Sequence, residues 1–211
     1  MTGWTLLPYG QSAVLVELAA SRDVLPLRNA LLAQRNPAVL AVVPAARTVL
    51  VEFDPGAIAV AELQGLVHAC MTAPAGSATS AAGPPEPAVE LAVRYDGADL
   101  ESVAQQCGLP VPEVIRRHCA AEYTVQFCGF APGFGYLSGL DPALRLPRLA
   151  SPRPAVPAGS VAVAGEFTGV YPRSSPGGWL LLGRTDAVLF DLDRQPPALL
   201  RPGVAVRLRQ A

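Results

Sequence analysis

Gly129-Phe130-Ala131-Pro132-Gly133-Phe134-Gly135-Tyr136-Leu137 opens the stretch of sequence that most constrains the fold. The same mixture of glycine, proline and aromatic residues continues to Arg184, through residues 156–161, 168–172 and 175–179. So much glycine and proline is usual in disordered segments, but the residues between them here are strongly apolar. Glycine permits turns and proline fixes φ, so we expect a tightly determined backbone. Such a backbone is typical of a binding site and also of the corners of a β-barrel.

The remainder of the second half predicts two helices followed by a barrel or sandwich. Residues 89–95 are predicted to form an apolar strand, and short helices are predicted over residues 99–104 and 112–119. Beyond Tyr123, β-rich segments separated by Gly/Pro turns recur about every 8–12 residues, the spacing of all-β domains.

The first half predicts a small α/β unit. Residues 13–18, 39–44 and 48–53 are predicted strands, and residues 24–33 and 60–71 are predicted amphipathic helices. The order strand, helix, strand, strand, helix matches most of a ferredoxin-like split unit. Its last strand would come from later in the chain or from another chain.

A segment of linker composition separates the two halves. Residues 72–88 are alanine, glycine, serine, threonine and proline with a single acidic residue. We place the boundary near residue 83. The predicted fold class is α+β, with an N-terminal domain at residues 1–82, a linker at 83–88 and a C-terminal domain at 89–211.

Composition excludes several classes of function. The net charge of the 211 residues is −1 and no basic run occurs, so no nucleic-acid partner is expected. All 16 basic residues are arginine, which excludes a P-loop and a Schiff-base lysine. The four cysteines form no CxxC pair and only two histidines are present, so no metal site is expected.

The sequence also indicates where the protein resides. Met1-Thr2-Gly3-Trp4 is not a basic segment followed by an apolar one, so no signal peptide is predicted. No apolar run reaches about 18 residues, so no membrane span is predicted. We therefore expect a cytoplasmic protein.

Ordered motifs along the chain resemble one family. They are Leu7-Pro8-Tyr9-Gly10-Gln11-Ser12 near the start, Val93-Arg94-Tyr95-Asp96-Gly97, Ala150-Ser151-Pro152-Arg153-Pro154, Gly177-Gly178-Trp179, and Leu200-Arg201-Pro202-Gly203 near the end. With the glycine-rich stretch above, they resemble the family of the B subunit of 5-oxoprolinase. That family is also called allophanate hydrolase subunit 1 or the kinase-inhibitor-like proteins.

The resemblance implies both a fold and an activity. It implies a ferredoxin-like N-terminal domain and a cyclophilin-like β-barrel C-terminal domain. It implies two partners, the C subunit of 5-oxoprolinase, which meets this barrel with a similar barrel, and the A subunit. Together the three proteins would open the lactam ring of 5-oxoproline to glutamate, using ATP with its Mg²⁺. The alternatives are a regulatory protein that inhibits a sensor histidine kinase and a component of a urea or allophanate amidohydrolase.

Two positions depart from the pattern of the family. Gly135 stands where proline is common, which would loosen a turn. Glu166-Phe167 stands where an amide-rich pair is common, and the carboxylate leaves the identity of the substrate open.

Three residues are candidates for catalysis. His118 has the chemistry to move a proton near neutral pH, or it caps a helix or fills the core. Arg153, like Arg148 on the other side of Ser151-Pro152, has a guanidinium that suits a carboxylate or phosphate. The alternative for both is a solvated loop or a salt bridge to a partner subunit. Tyr171 is a candidate for a hydrogen bond to the substrate.

A second group of candidates would bind substrate or an anion. These residues are Phe130, Pro132, Gly133, Phe134, Arg148, Gly159 and Ser160. The loop at 129–137 would present backbone N–H groups to an anion, or it is a packed barrel corner. Ser160 lacks a GxSxG elbow and is not predicted to be a nucleophile. Trp179 is expected against a pocket, a partner or the core.

Overall fold

A computed structural model of the protein describes residues 3–73 and 87–211. The chain divides into two compact units, Met1–Glu86 and Pro87–Ala211, each with its own hydrophobic core. The predicted boundary near residue 83 and most of the predicted linker, residues 83–88, lie outside the described residues.

The first unit contains a four-stranded sheet and two helices. In chain order its elements are β1 (Trp4–Tyr9), β2 (Ala13–Leu18), α1 (Val24–Ala33), β3 (Val39–Pro44), β4 (Thr48–Phe53) and α2 (Val60–Thr72). The strands lie in the order β1-β2-β4-β3, and each neighbouring pair is antiparallel. The predicted elements agree with these bounds, except that α2 extends one residue beyond the prediction.

Strand β1 was not predicted from the sequence. It contains Pro8, most of its residues are exposed, and its side chains do not alternate between apolar and polar. Proline is tolerated on an edge strand, and β1 is at an edge. The last strand of the split unit, expected from later in the chain or from another chain, is therefore β1, which precedes β2 in the sequence and lies beside it in the sheet.

The core of the first unit lies between sheet and helices. Every second residue of β2 and β4 is buried, as expected for strands with one face against helices. These residues are Val14, Val16, Leu18, Val49, Val51 and Phe53. The helices contribute Leu27, Leu31, Leu63 and Val67 to the same cluster.

The second unit begins with a strand and two helices and continues as β structure. Its elements are β5 (Val89–Val93), α3 (Leu100–Cys107), α4 (Val111–Ala120), β6 (Tyr123–Cys128), β7 (Gly135–Ser138), β8 (Arg153–Val156), β9 (Ser160–Ala164), β10 (Phe167–Val170), β11 (Ser175–Gly177), β12 (Leu180–Arg184) and β13 (Ala205–Gln210). Helix α3 ends because Gly108 adopts the left-handed conformation, with φ of 65°.

Seven strands form a nearly closed, barrel-like sheet in the order β12-β9-β10-β7-β6-β13-β5. Its two ends meet where the N–H groups of Arg94 and Arg184 donate to each other's carbonyl oxygens, at 2.8 and 2.9 Å. The N–H group of Gly97 also donates to the carbonyl oxygen of Leu182, at 3.1 Å. A separate two-stranded sheet, β8 with β11, lies outside this order.

Closure of the barrel leads to a prediction for Gly183 in β12. An added Cβ there would collide with the carbonyl oxygen of Arg94. We expect Gly183→Ala to lower the free energy of unfolding by about 2–3 kcal/mol, measured by urea denaturation. Gly65→Ala in α2 is the control, because nothing lies within 4 Å of the added Cβ and alanine favours helix by about 1 kcal/mol. Parent-like stability of Gly183→Ala would contradict this closure.

Candidate functional site

Five aromatic rings line a cavity of about 300 Å³ in the second unit. They are Phe130, Phe134, Tyr136, Tyr171 and Trp179. Phe134 is central, with its ring centroid 5.0 Å from Tyr136, 5.4 Å from Tyr171 and 5.5 Å from Trp179, each edge to face. These are favourable aromatic geometries, so the wall is preorganised. The other lining residues are Arg148, Pro152, Pro176, Gly177 and Gly178.

Two glycines allow the rings to approach the backbone. An added Cβ at Gly169 of β10 would lie 2.8 Å from the ring of Phe134 and 2.9 Å from that of Trp179. At Gly177 of β11 it would collide with the hydroxyl of Tyr171. The lack of a side chain at both positions therefore allows the rings to occupy these places in the wall of the cavity.

The loop between β6 and β7 uses its own donors to hold its shape. The N–H groups of Gly129, Ala131 and Phe134 donate to carbonyl oxygens within the loop, at 3.3, 2.7 and 3.0 Å. Phe130 has φ of 67°, a left-handed conformation that is uncommon for a residue other than glycine. Three of the donors predicted to face an anion are therefore engaged in the turn itself.

Arg148 gives the cavity its positive charge. It is exposed and is the one charged residue that lines the cavity within the described part of the chain. Its guanidinium forms no ion pair or hydrogen bond with any described residue. A planar guanidinium with its donors unused suits bidentate binding of a carboxylate.

Arg153 is engaged in the fold and does not line the cavity. Its Nη2 donates to Asp99 Oδ1 at 2.6 Å and its Nη1 to the carbonyl oxygen of Trp179 at 3.3 Å. The other oxygen of Asp99, Oδ2, accepts the N–H group of Leu181 at 2.7 Å. The pair thus holds the backbone that carries Trp179, and the salt bridge of Arg153 lies within the chain rather than to a partner subunit.

Tyr171 is buried within the wall of the cavity, with 2% of its surface exposed. Burial raises the pKa of its hydroxyl above the usual value for tyrosine, at which the group is already protonated near neutral pH. A hydrogen bond with the backbone of Trp179 opposes this rise in pKa.

Gly159 and Ser160 support Tyr171 and do not line the cavity. The N–H group of Gly159 donates to the carbonyl oxygen of Tyr171 at 2.7 Å. The N–H group of Tyr171 donates to the carbonyl oxygen of Ser160 at 3.0 Å. Pro132 and Gly133 also lie outside the lining, and the space for a Cβ at Gly133 is filled by Phe190 at 2.7 Å.

His118 lies in the core and does not line the cavity. Its Nδ1 is 2.7 Å from Tyr95 Oη and its Nε2 is 3.0 Å from Thr168 Oγ1. Burial lowers its pKa to about 3, so the imidazole is neutral at physiological pH. This position matches the core-filling interpretation of His118 and gives its ring no access to a ligand in the cavity.

His118 is expected to make folding sensitive to acid. Its pKa is about 3 in the folded protein and about 6.5 in an unfolded chain. Because the unfolded state binds a proton that the folded state does not, stability is complete above about pH 6.5 and falls toward pH 3. Between about pH 7.5 and pH 5 the parent should lose about 2 kcal/mol more unfolding free energy than His118→Gln, measured by urea denaturation. Equal losses would contradict a neutral buried His118.

Four of the ten predicted site residues therefore line the cavity, and six lie elsewhere. The four are Phe130, Phe134, Arg148 and Tyr171. Tyr136, Pro152 and the run from Pro176 to Trp179 line it without having been among those ten. The alternation of Phe134 and Tyr136 along the chain was a usable signal, since residues two apart share a face of a strand.

The two departures from the family pattern lie away from the lining. Gly135 is buried at the start of β7, where an added Cβ would lie 3.0 Å from Leu200, so it does not loosen a turn. Glu166 is exposed in the turn between β9 and β10 and does not line the cavity.

Within residues 3–73 and 87–211, no group of three or more histidine, cysteine, aspartate and glutamate side chains is arranged to hold a metal ion. None of the helices in residues 3–73 and 87–211 has the length and apolar character needed to cross a membrane.

Comparison with known families identifies the class of this fold. The family model of the carboxyltransferase domain, subdomains C and D, matches residues 4–200. The chain belongs to this family.

Curated relatives confirm the resemblance found in the sequence. Over 122 residues the chain is 52% identical to the B subunit of 5-oxoprolinase from Escherichia coli O157:H7 and 50% identical to that of Bacillus subtilis (strain 168). Each alignment covers 56% of this chain, and 56% and 51% of the respective relatives. The matched part thus spans about half the length of these curated relatives.

Solved structures share the fold along nearly the whole chain. TTHA0988 is 40% identical with a TM-score of 0.75, over 99% of this chain and 40% of that one. The uncharacterized protein PH0987 from Pyrococcus horikoshii is 33% identical with a TM-score of 0.57, over 98% and 97% of the two chains. The urea amidolyase of K. lactis, 20% identical with a TM-score of 0.72 over 99% of this chain and 15% of that one, shares the fold alone.

Proposed function

We propose that this chain is one component of an ATP-dependent 5-oxoprolinase and acts with the A and C subunits of that enzyme to open the lactam ring of 5-oxoproline. The observation that carries the proposal is the aromatic cavity of about 300 Å³ with Arg148, unpaired among the described residues, at its lining. The names of the relatives that are 50–52% identical support the same activity.

The cavity suits the two chemical features of 5-oxoproline. Its carboxylate matches the guanidinium of Arg148, which presents paired donors in one plane. Its flat lactam ring matches the edge-to-face walls formed by Phe134, Tyr171 and Trp179. Ligand sites of this kind are mostly apolar with few polar groups that fix orientation.

The proposed contribution of this chain to the reaction is to bind and orient. Arg148 holds the carboxylate, and the rings hold the lactam in one orientation, which lowers the entropic part of the barrier. The same rings exclude water from one side of the amide. A partner protein is proposed to supply the remaining groups from the other side. The hydroxyl of Tyr171 can donate a hydrogen bond within the wall, since burial raises a pKa that already keeps tyrosine protonated near neutral pH.

The residues of this cavity do not fit a magnesium nucleotide. A triphosphate with Mg²⁺ calls for several cationic donors and for carboxylate ligands. Among the described residues the lining offers one guanidinium and no carboxylate, and the sequence has no lysine. We therefore propose that ATP and Mg²⁺ are held by a partner protein or at a boundary shared with it.

We also propose a more specific fold for each of the two units. We propose that the first unit is ferredoxin-like with its fourth strand placed first in the chain, a proposal that the strand order β1-β2-β4-β3 supports. The nearly closed seven-stranded sheet is proposed to be cyclophilin-like and to meet the barrel of the C subunit. A cytoplasmic location is proposed with it.

Co-expression with the candidate A and C subunits tests the proposal. The purified assembly, given 5-oxoproline, ATP and Mg²⁺, should release glutamate, and omission of this chain should abolish the release. An assembled and folded complex that forms no glutamate above background would reject it.

The family description favours a second candidate, a component of a urea or allophanate amidohydrolase. It names a carboxyltransferase domain, and carboxyl transfer is a step of urea chemistry. The same assembly assayed with urea and with allophanate separates the two, since a preference for either over 5-oxoproline would favour this candidate. Inhibition of a sensor histidine kinase stays a prediction from the sequence.

A further inference from the structure

A buried hydrogen bond joins helix α4 to the strand beneath the cavity. His118 Nε2 lies 3.0 Å from Thr168 Oγ1, and both residues are 0% exposed. Nδ1 of the same ring lies 2.7 Å from Tyr95 Oη. One nitrogen of a neutral imidazole donates and the other accepts, so both nitrogens are satisfied. His118 thus holds Thr168 from the core side of β10.

His118 is itself fixed in the fold. The hydroxyl of Tyr123 in β6 donates to its carbonyl oxygen at 2.9 Å, which anchors the end of α4. Tyr95, just after β5, holds the ring from the other side. The residue is therefore held through both its backbone and its ring, and it serves as a fixed point for β10.

The residue after Thr168 in β10 is Gly169, which lies against rings that line the cavity. Successive side chains of a strand point to opposite faces, so Gly169 faces away from His118. Gly169 is paired with Tyr136 of β7. The rings of Phe134 and Trp179 lie 2.8 and 2.9 Å from where its Cβ would be. Because packed interiors transmit small shifts, a displacement of β10 moves the contacts of all three rings.

We propose that His118 and Thr168 are positioning residues, whose hydrogen bond holds β10 so that Phe134, Tyr136 and Trp179 keep the geometry of the cavity. This inference deepens the proposed function and rests on it for the identity of the cavity as the site. The geometry concerned exists without a ligand, so it is measurable in the free chain.

The fluorescence of Trp179 reports this geometry directly. The chain has two tryptophans, so a Trp4→Phe background leaves Trp179 as the single reporter. Thr168→Val removes the hydroxyl at similar volume and leaves His118 Nε2 without a partner. Thr168→Ser retains a hydroxyl and is the rescue variant. Val114→Ala, a buried residue of α4, is the matched control for lost stability alone.

Folded Thr168→Val is expected to show red-shifted Trp179 emission and a larger acrylamide quenching constant. We also expect roughly tenfold weaker binding of 5-oxoproline, because rings displaced from their preorganised positions contact the ligand less well. Thr168→Ser and Val114→Ala should keep the emission and quenching of the parent. If Thr168→Val does not fold, Thr168→Ala takes its place.

Unchanged emission and quenching in the folded variant would overturn the proposal, as would an equal change in Val114→Ala. The emission measurement separates this outcome from failure of the proposed function. A parent chain that does not bind 5-oxoproline would reject the proposed function, whereas the emission of Trp179 would still decide whether the hydrogen bond positions the cavity.

Discussion

Arg148→Met is expected to weaken the binding of 5-oxoproline by roughly 30- to 150-fold, which corresponds to about 2–3 kcal/mol for a charge-assisted pair of hydrogen bonds. The guanidinium is exposed and forms no ion pair or hydrogen bond with the described residues, so its removal should not alter the fold. The dissociation constant is measured by calorimetry on the full chain, and KM for 5-oxoproline on the assembled complex.

Two variants sharpen this prediction. Arg148→Lys retains the charge without the planar fork, so its affinity should fall between those of parent and Arg148→Met. Arg173→Met removes another exposed arginine, one that does not line the cavity, and should bind as the parent does. If Arg148→Met and Arg173→Met bound equally well, the carboxylate would not be bound where we propose.

Asp99→Ala is expected to lower the free energy of unfolding by about 3 kcal/mol, because it leaves Arg153 without its partner and the Leu181 N–H group without its acceptor. The side chain of Asp99 is 11% exposed and that of Arg153 is 27% exposed, so the pair is largely shielded from water. Urea denaturation measures the change. The same variant should loosen Trp179, whose carbonyl oxygen accepts a hydrogen bond from Arg153 at 3.3 Å.

An exposed ion pair in the same unit supplies the control for Asp99→Ala. Asp186 pairs with Arg94 at 3.3 Å, and its side chain is 92% exposed. Such pairs contribute little, so Asp186→Ala should change stability by less than about 0.5 kcal/mol. A loss of similar size in both variants would show that the Asp99–Arg153 pair has no special part in holding the wall of the cavity.

The sequence predicted most of the regular structure, because hydrophobic periodicity and Gly/Pro punctuation are local signals. Strands 13–18, 39–44 and 48–53 and helix 24–33 agree with the structure to the residue. Strand β1 was missed because it contains Pro8 and because its apolar and polar residues do not alternate.

The site was predicted less well because side-chain pairing is not a local property. Arg148 and Arg153 are five residues apart and of one chemical type, yet Arg153 pairs with Asp99, 54 positions earlier in the chain, and Arg148 lines the cavity. His118 has the chemistry of a proton carrier, but Tyr95 and Thr168, distant in sequence, enclose it in the core. Residue type identified candidates in both cases, and only the fold decided which of them reach a ligand.

The most direct test of the central claim is a titration of Trp179 emission in the Trp4→Phe chain with 5-oxoproline and, in parallel, with 2-pyrrolidinone. The second compound has the same lactam ring without the carboxylate. If the aromatic cavity binds the ring and Arg148 binds the carboxylate, 5-oxoproline should give a saturable change in emission, and 2-pyrrolidinone should require a far higher concentration. Equal responses to the two compounds, or no response to either, would contradict the account.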